Sequence, residues 1–305
     1  MAKVLVTGGC GFIGSHLVDA LLARGDDVVV IDNLSTGKKE NLSHIKSGST
    51  CTVVAGDVLD SDLLQKNMQD VETVFHLAAR ISVPESIQQP VSYVETNTIG
   101  TLNILEACRV MGVKNFIFSS SAAVYGDSPA TPKQEIQTPS PQSPYAVTKL
   151  DGEFYGNLYQ REYGIHATSL RYFNVFGPRQ DPLSPYASVI PLFIENARKN
   201  KDIIVYGDGE QTRDFIFVND IVNANIAAST KAGGVFNVST GQGITVNELA
   251  TLIIELTHSK SKVIHQDMRP GDIKHSQGDN HLFLRHANFC PQFTLLEGLK
   301  KTVLM

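Results

Sequence analysis

Between an apolar run, KVLVT at 3–7, and a stretch whose apolar residues recur at helical spacing, FIGSHLVDALLARG at 12–25, the chain carries TGGCGFIGSH at residues 7 to 16. Few folds need three glycines at that spacing between a buried strand and a helix. In a strand–turn–helix unit Gly8 permits the tight turn, Gly11 lets backbone approach a pyrophosphate, and Gly14 lets the helix pack closely on the strand. The helix N-terminus then offers free N–H groups to phosphate. Alone, the triplet also suits a plain turn. The next apolar strand, VVVID at 28–32, ends in a carboxylate about where one accepts adenosine ribose hydroxyls. Asp32 therefore favours NAD over NADP, whose 2′-phosphate it would repel, while Lys38 and Lys39 nearby leave NADP open.

Buried strand patterns recur near 3–7, 27–32, 51–55, 72–77, 115–119 and 166–171, separated by helical patterns. This alternation predicts an α/β fold, a doubly wound parallel Rossmann sheet with helices on both faces. Past Asn174, GPRQDPLSPYASVIP is rich in proline and polar turn residues, and the strict alternation stops. The expected organisation is a dinucleotide-binding domain over 1–174 and a smaller α/β substrate domain over 175–305, with a segment near 214–229 returning to the first. Two long helical stretches, near 91–112 and 145–163, are long enough to pack against another subunit.

With 42% hydrophobic and 19% charged residues the composition is that of an ordinary globular protein, and a formal charge of −5 without a basic stripe argues against nucleic-acid binding. No stretch is long and apolar enough to span a bilayer, and the N-terminus has no signal-peptide pattern, so a cytoplasmic location without membrane partners is expected. Cys10, Cys51, Cys108 and Cys290 are scattered without CxxC pairing, so no structural metal is expected.

FSSSAAVYG at 118–126 starts on a strand and leaves its serines at the strand's C-terminal end, the ligand side of an open α/β sheet. SPYAVTKL at 143–150 opens a helix with Tyr145 and Lys149 on one face. An ammonium beside a phenol, together with a positive nicotinamide ring, stabilises phenolate. Lowering a tyrosine pKa from about 10 to about 7 needs roughly 4 kcal/mol of differential stabilisation. Tyr145 would then serve as a base at neutral pH, with Ser121 holding the same substrate oxygen.

TGGCGFIG, DNLSTG, GDV at 56–58, HLAA at 76–79, SSSAAVYG, SPYAVTK, RYFNVFGPR, GDGEQTRDF and RPGD, in this order, resemble the NAD-dependent epimerase/dehydratase group of extended short-chain dehydrogenases/reductases. Within it the segments are similar to those of the UDP-hexose and UDP-N-acetylglucosamine 4-epimerases. The resemblance implies NAD as cofactor, a UDP-sugar as substrate and a homodimer. It implies cofactor contacts at Gly8, Gly11, Phe12, Ile13, Gly14, Asp32, Asn33, Asp57, Val58, Leu77, Ala78, Ala79, Asn97, Ser119, Tyr145, Lys149 and Tyr172. The substrate contacts it implies are Ser82, Val83, Ser121, Tyr145, Asn174, Val189, Tyr206, Arg213, Arg269, Asp272 and Ser276. Among these Arg213 and Arg269 would hold the UDP phosphates, Tyr206 would lie along the uracil, and Asp272 would accept ribose hydroxyls. His76 reads as a satisfied strand-end histidine without an acid/base role.

Sugar dehydratases of the group follow the active-site threonine with an Asp-Glu pair; here Ala122 and Ala123 stand there and can move no proton. The reaction implied is 4-epimerisation through a transient 4-keto sugar. Uronate epimerases and decarboxylases use the same Ser, Tyr and Lys, and a silent NAD-binding sensor is the reading from another class. In similar epimerases a tyrosine seven positions after the RPGD arginine restricts the enzyme to unacetylated sugars. Ser276 stands there, which implies room for a C2 acetamido group, whereas Ile81 in the loop after HLAA is bulkier than such an enzyme leads one to expect.

Overall fold

The computed structural model describes residues 2–46, 49–182, 188–230, 233–268 and 273–304. Six strands appear where the apolar runs predict them: β1 (Lys3–Thr7), β2 (Asp27–Asp32), β3 (Cys51–Ala55), β4 (Thr73–His76), β5 (Asn115–Ser121) and β6 (His166–Tyr172). They form one parallel sheet with a seventh strand, Gly234–Val238, at the edge beside β6; β3 is the opposite edge, and the order inward from it is β2, β1, β4, β5. Strand order reverses between β1 and β4, so the crevice beyond their carboxyl ends is the ligand-binding switch point of such a sheet. Thr7 and His76 are in register at that end.

Both faces are covered, which is why the strands read as continuous apolar runs. One face holds Leu17, Val18 and Leu21 of α1 (Phe12–Ala23); the other holds Ile104 and Leu105 of the Gly100–Met111 helix and Tyr159 of the Pro144–Tyr163 helix. The Pro144–Tyr163 helix starts sharply because the Ser143 side chain accepts from the Ala146 N–H and proline occupies its first turn. It ends at Gly164 in the left-handed region.

The stretch expected as one helix near 91–112 is continuous but not uniform: Pro90–Tyr93 is α-helical, Val94–Ile99 is a π-helical turn, and Gly100–Met111 resumes the α-helix. A π-turn inserts one residue into the helical repeat and so re-aims the side chains it carries. Here Asn97 is one of them.

After β6 the chain leaves the sheet. Asn174–Phe176 pairs in parallel with Phe215–Phe217, and the Val218–Ala228 helix that follows packs on α1. The stretch joined to the central sheet extends past 229, since Gly234–Val238 is its edge strand, a strand not apparent in the apolar pattern. Around a separate core of Phe176, Phe193, Ile203, Val205, Leu249 and Ile253, the Val189–Arg198 helix packs on the Val246–Thr257 helix. There Ile203–Tyr206 pairs with Val263–Gln266. Thr212–Arg213 lies between Ile244–Thr245 and His275–Ser276. Among the described residues, no helix is long and apolar enough to cross a membrane.

Candidate active site

The glycine turn is shaped by contact. Gly8 has φ +69, and a Cβ there would sit 2.9 Å from the Ala78 nitrogen. A Cβ on Gly14 would lie 2.1 Å from the Gly8 carbonyl oxygen, so any side chain would push α1 off β1. Gly11 is the N-cap of α1 and supplies no side-chain cap. The first-turn amides of α1 therefore meet the crevice without a protein side chain covering them, a cradle suited to a pyrophosphate.

That crevice is a cleft of about 630 Å3 running along the carboxyl ends of the sheet. Gly8, Gly11, Phe12, Ile13, Gly14, Asp32, Asn33, Asp57, Val58, Leu77, Ala78 and Ala79 line it, as do Ser119, Ser121, Tyr145, Lys149, Tyr172, Asn174 and Val83. Asp32 is buried, and its carboxylate accepts the Cys10 N–H at 2.9 Å and the Leu34 N–H at 2.8 Å, which anchors both loops at this end of the cleft. Asn33 donates to Asp57 at 2.8 Å. The residues suit NAD: a bare helix N-terminus stands at one point of the cleft and an anchored carboxylate at a strand end stands at another. Lys38 lies 2.9 Å from Asp181, so its ammonium is engaged there.

At the other end Lys149 Nζ donates to the Ser119 carbonyl oxygen at 2.7 Å and sits 6.0 Å from the Tyr145 ring centroid. Ser121 lines the cleft with Tyr145, and its Oγ accepts from the Ala123 N–H at 3.1 Å. Burial raises the Tyr145 phenol above its ordinary value, against the opposing effect of Ser121, and burial lowers the Lys149 ammonium to about 7. The expected downward shift of Tyr145 is thus not a property of the protein groups alone. Taking both side chains out of water disfavours both charged forms, and the second cation invoked for that shift is the nicotinamide ring. Burial raises the Tyr172 phenol as well, and its hydroxyl donates to Asn225 at 2.9 Å.

A chain of hydrogen bonds joins the glycine turn to the Pro144–Tyr163 helix, and its protons can be assigned. Thr101 donates its only hydroxyl proton to the Asn97 carbonyl, so it accepts from His76 Nε2–H at 2.9 Å. Burial lowers the His76 pKa to about 3, so the ring is neutral and its bare Nδ1 accepts from Thr7 Oγ1 at 2.7 Å. Thr7 Oγ1 in turn accepts the Ala78 N–H. Asn97 grips Arg80 at two points, accepting from its N–H at 2.8 Å and donating to its carbonyl at 3.0 Å, and donates also to Thr148. Thr148 donates to the Tyr145 carbonyl at 2.8 Å. Asn97 itself is buried behind the cleft wall rather than on it, and His76 is fully committed to its two partners.

Beside this cleft lies a second cavity of about 300 Å3, lined by Val189, Tyr206 and Arg213, with Asn174, Val175 and Ser188 common to both. Ser276 is in register with Arg213 but is not among the lining residues of either cavity. Ser82 caps the Val83–Gln88 helix, accepting from the Glu85 N–H. Arg269 and Asp272 fall outside the described residues. Sequence reasoning missed several lining residues, including Gly37, Arg80 and Gln180. Gly37 carried a signal, since DNLSTG holds it just past Asp32, where a Cβ would come 2.7 Å from the carboxylate.

A family model described as the NAD dependent epimerase/dehydratase family matches residues 4–239. The chain is similar to the solved structure of a UDP-N-acetylglucosamine 4-epimerase from Methanobrevibacter ruminantium in complex with UDP-N-acetylmuramic acid. The TM-score is 0.95 at 44% identity, over 99% of this chain and 97% of that one. It is similar also to a Thermotoga maritima UDP-glucose 4-epimerase solved with UDP-glucose, with a TM-score of 0.94 at 40% identity over 99% and 97% of the two chains. A Thermus thermophilus UDP-glucose 4-epimerase complexed with NAD matches with a TM-score of 0.90 at 38% identity, over 99% and 97%. The fold, the glycine cradle and these likenesses agree: the chain belongs to the NAD dependent epimerase/dehydratase family, and its cofactor is NAD.

Proposed function

We propose that the protein is a UDP-sugar 4-epimerase that interconverts UDP-N-acetylglucosamine and UDP-N-acetylgalactosamine and also accepts UDP-glucose and UDP-galactose. The observation that carries this reading is the junction of the two cavities. Asn174, Val175 and Ser188 line both, so a ligand with its nucleotide beside Tyr206 and Arg213 reaches directly toward Ser121 and Tyr145. Glycine-turn residues, Asp32 and Asp57 would hold NAD; Arg213 and Asn174, with Arg269, would hold the diphosphate, arginine suiting it by its bidentate fork. Residues 1–174 with the returning strand and helix would serve the cofactor, and the lobe after 175 the UDP-sugar.

When bound, NAD supplies an acceptor and donor for the hydride at sugar C4. Tyr145 takes the proton of the 4-hydroxyl, with Ser121 holding the same oxygen and Lys149 favouring the phenolate. The 4-keto sugar swings about its bond to the diphosphate and presents its other face, and Tyr145 returns the proton, so C4 inverts without net oxidation. Such a swing needs firm anchoring of UDP and loose contact with the sugar. Ala122 and Ala123 beside Ser121 carry no group able to move a proton at C5 or C6.

Ser276 next to Arg213 supports the acetamido substrates, as does the likeness to the Methanobrevibacter enzyme. Ile81, 68% exposed on the cleft wall, favours the second reading, an enzyme of unacetylated sugars like the Thermotoga protein. Assays on UDP-N-acetylglucosamine, UDP-glucose and UDP-glucuronate side by side decide between them. Epimerisation of the first is expected; turnover of UDP-glucose alone, or of the uronate alone, overturns the substrate assignment.

A homodimer is part of the same reading. Val147, Phe154 and Leu158 on the Pro144–Tyr163 helix, with Val91, Val94 and Ile99 on the neighbouring helical stretch, are exposed apolar side chains on two packed helices. A second copy of the chain would cover them.

A further inference from the structure

Asp214 follows Arg213 and is completely buried, yet among the described residues no cation accompanies its carboxylate in the hydrogen bonds it makes. One oxygen accepts the Thr240 N–H at 2.9 Å and the Thr240 hydroxyl at 2.6 Å. The other accepts the Gly241 N–H at 3.0 Å and the Gly278 N–H at 3.2 Å. Burying a carboxylate is costly unless its lone pairs are filled, and here four donors fill them. Burial raises its pKa and these donors oppose the rise.

The backbone of the same residue works in the other direction. Its N–H donates to the Ser276 carbonyl at 2.9 Å, and its carbonyl accepts from both the N–H and the side-chain amide of Asn174, at 3.0 and 3.2 Å. Gln277 reaches from the same segment to the Gly241 carbonyl at 2.6 Å. One residue thus joins four segments remote in sequence: the strand Asn174–Phe176, the strand Thr212–Arg213, the turn at 240–241 and the 276–278 stretch. Three residues assigned to the substrate, Asn174, Arg213 and Ser276, lie on those segments.

We propose that Asp214 is a positioning residue for the nucleotide end of the substrate, its buried carboxylate holding the frame from which Asn174 and Arg213 meet the UDP diphosphate. This rests on the UDP-sugar reading above. The groups that satisfy the carboxylate are three backbone amides, which can only donate, and one hydroxyl, which donates to it here. An asparagine of the same shape presents an NH2 to one pair of those donors, so it leaves at least one backbone N–H unpaired and pushes the 240–241 turn or the 276–278 stretch away.

The test is Asp214→Asn in the holoenzyme, read by calorimetric titration with UDP, by steady-state kinetics and by the NAD content of the denatured protein. We expect UDP affinity to fall and KM to rise together by about tenfold or more, with kcat within about twofold and NAD content unchanged. A general loosening of the fold would instead lower NAD content and kcat together, and would overturn the assignment. Unchanged UDP affinity in the variant overturns it while leaving the proposed function standing. A wild-type protein that binds no UDP removes the proposed function and this role with it. Should Asp214→Asn not accumulate as folded holoenzyme, Thr240→Val deletes a single hydroxyl donor. Its UDP affinity is expected to fall about threefold to fivefold at unchanged kcat, and no fall overturns the role.

Discussion

Lys149 Nζ donates a 2.7 Å hydrogen bond to the carbonyl oxygen of Ser119, tying the helix that carries Tyr145 to the strand that ends in Ser121. The three groups assigned to proton transfer therefore share one rigid junction rather than a loop. Tyr145→Phe removes a hydroxyl and little packing, so the variant is expected to fold and retain NAD while kcat falls by about a hundredfold or more. Steady-state assays and the nucleotide released on denaturation check this; near-normal kcat would remove Tyr145 from its role.

His76 gives a pH signature to stability. Its folded pKa, about 3, lies below the ordinary value of 6.5 because burial disfavours the imidazolium. Between those values the unfolded chain binds one more proton than the folded chain, so this contribution is complete above pH 6.5 and is lost as pH falls. From pH 6.5, where the unfolded imidazole is half protonated, to pH 5 the loss is about 1.6 kcal/mol, its slope approaching about 1.4 kcal/mol per pH unit. Denaturant unfolding at both pH values should show that extra slope in the wild type and not in His76→Gln. Nitrogen NMR should find the neutral ring protonated at Nε2.

Ser276→Tyr is expected to abolish turnover of UDP-N-acetylglucosamine and spare that of UDP-glucose, because a phenol ring beside Arg213 excludes the acetamido group by steric clash. Competition assays with the two sugars check it. Equal loss of both activities would mean that the ring damages the shared UDP site instead of gating C2.

Phe154 is 56% exposed in the middle of the apolar helix face. Phe154→Glu places a charge where a second copy would sit, and light scattering should find monomers in place of dimers. A wild-type protein that is already monomeric would overturn the dimer.

Much of this architecture was legible because its determinants are local. Six strands are continuous apolar runs closed by turn residues, and the elements holding Gly8 to Gly14, Asp32, and Tyr145 with Lys149 are each set by spacing within one short segment. The π-turn at 94–99 was not legible: VETNTIG has ordinary helical content, and Asn97 in it is gripped by Arg80, far away in sequence. Nor was the strand Gly234–Val238, whose GVFNV run is short and takes its place from β6. The role of Asp214 escapes sequence reading for the same reason, since its partners at Thr240, Gly241 and Gly278 are joined to it only by folding. Burial raises the Tyr145 phenol and lowers the Lys149 ammonium, so the two spaced side chains do not by themselves depress the phenol; the expectation also includes the nicotinamide cation.

The edge strand Gly234–Val238 decides how this protein can be spliced. Cutting the chain after Asn174 would bare the backbone groups of β6 and strip the Val218–Ala228 helix from α1, so the first 174 residues do not form a separable module. A graft meant to change the sugar specificity has to enter as insertions, one between Phe176 and Phe215 and another after Val238. Both joints of the first lie on neighbouring strands in register, Phe176 opposite Phe217. Exchange of substrate lobes between relatives thus demands matched pairs of crossovers, and a single recombination point in the middle of the chain should yield protein that does not fold.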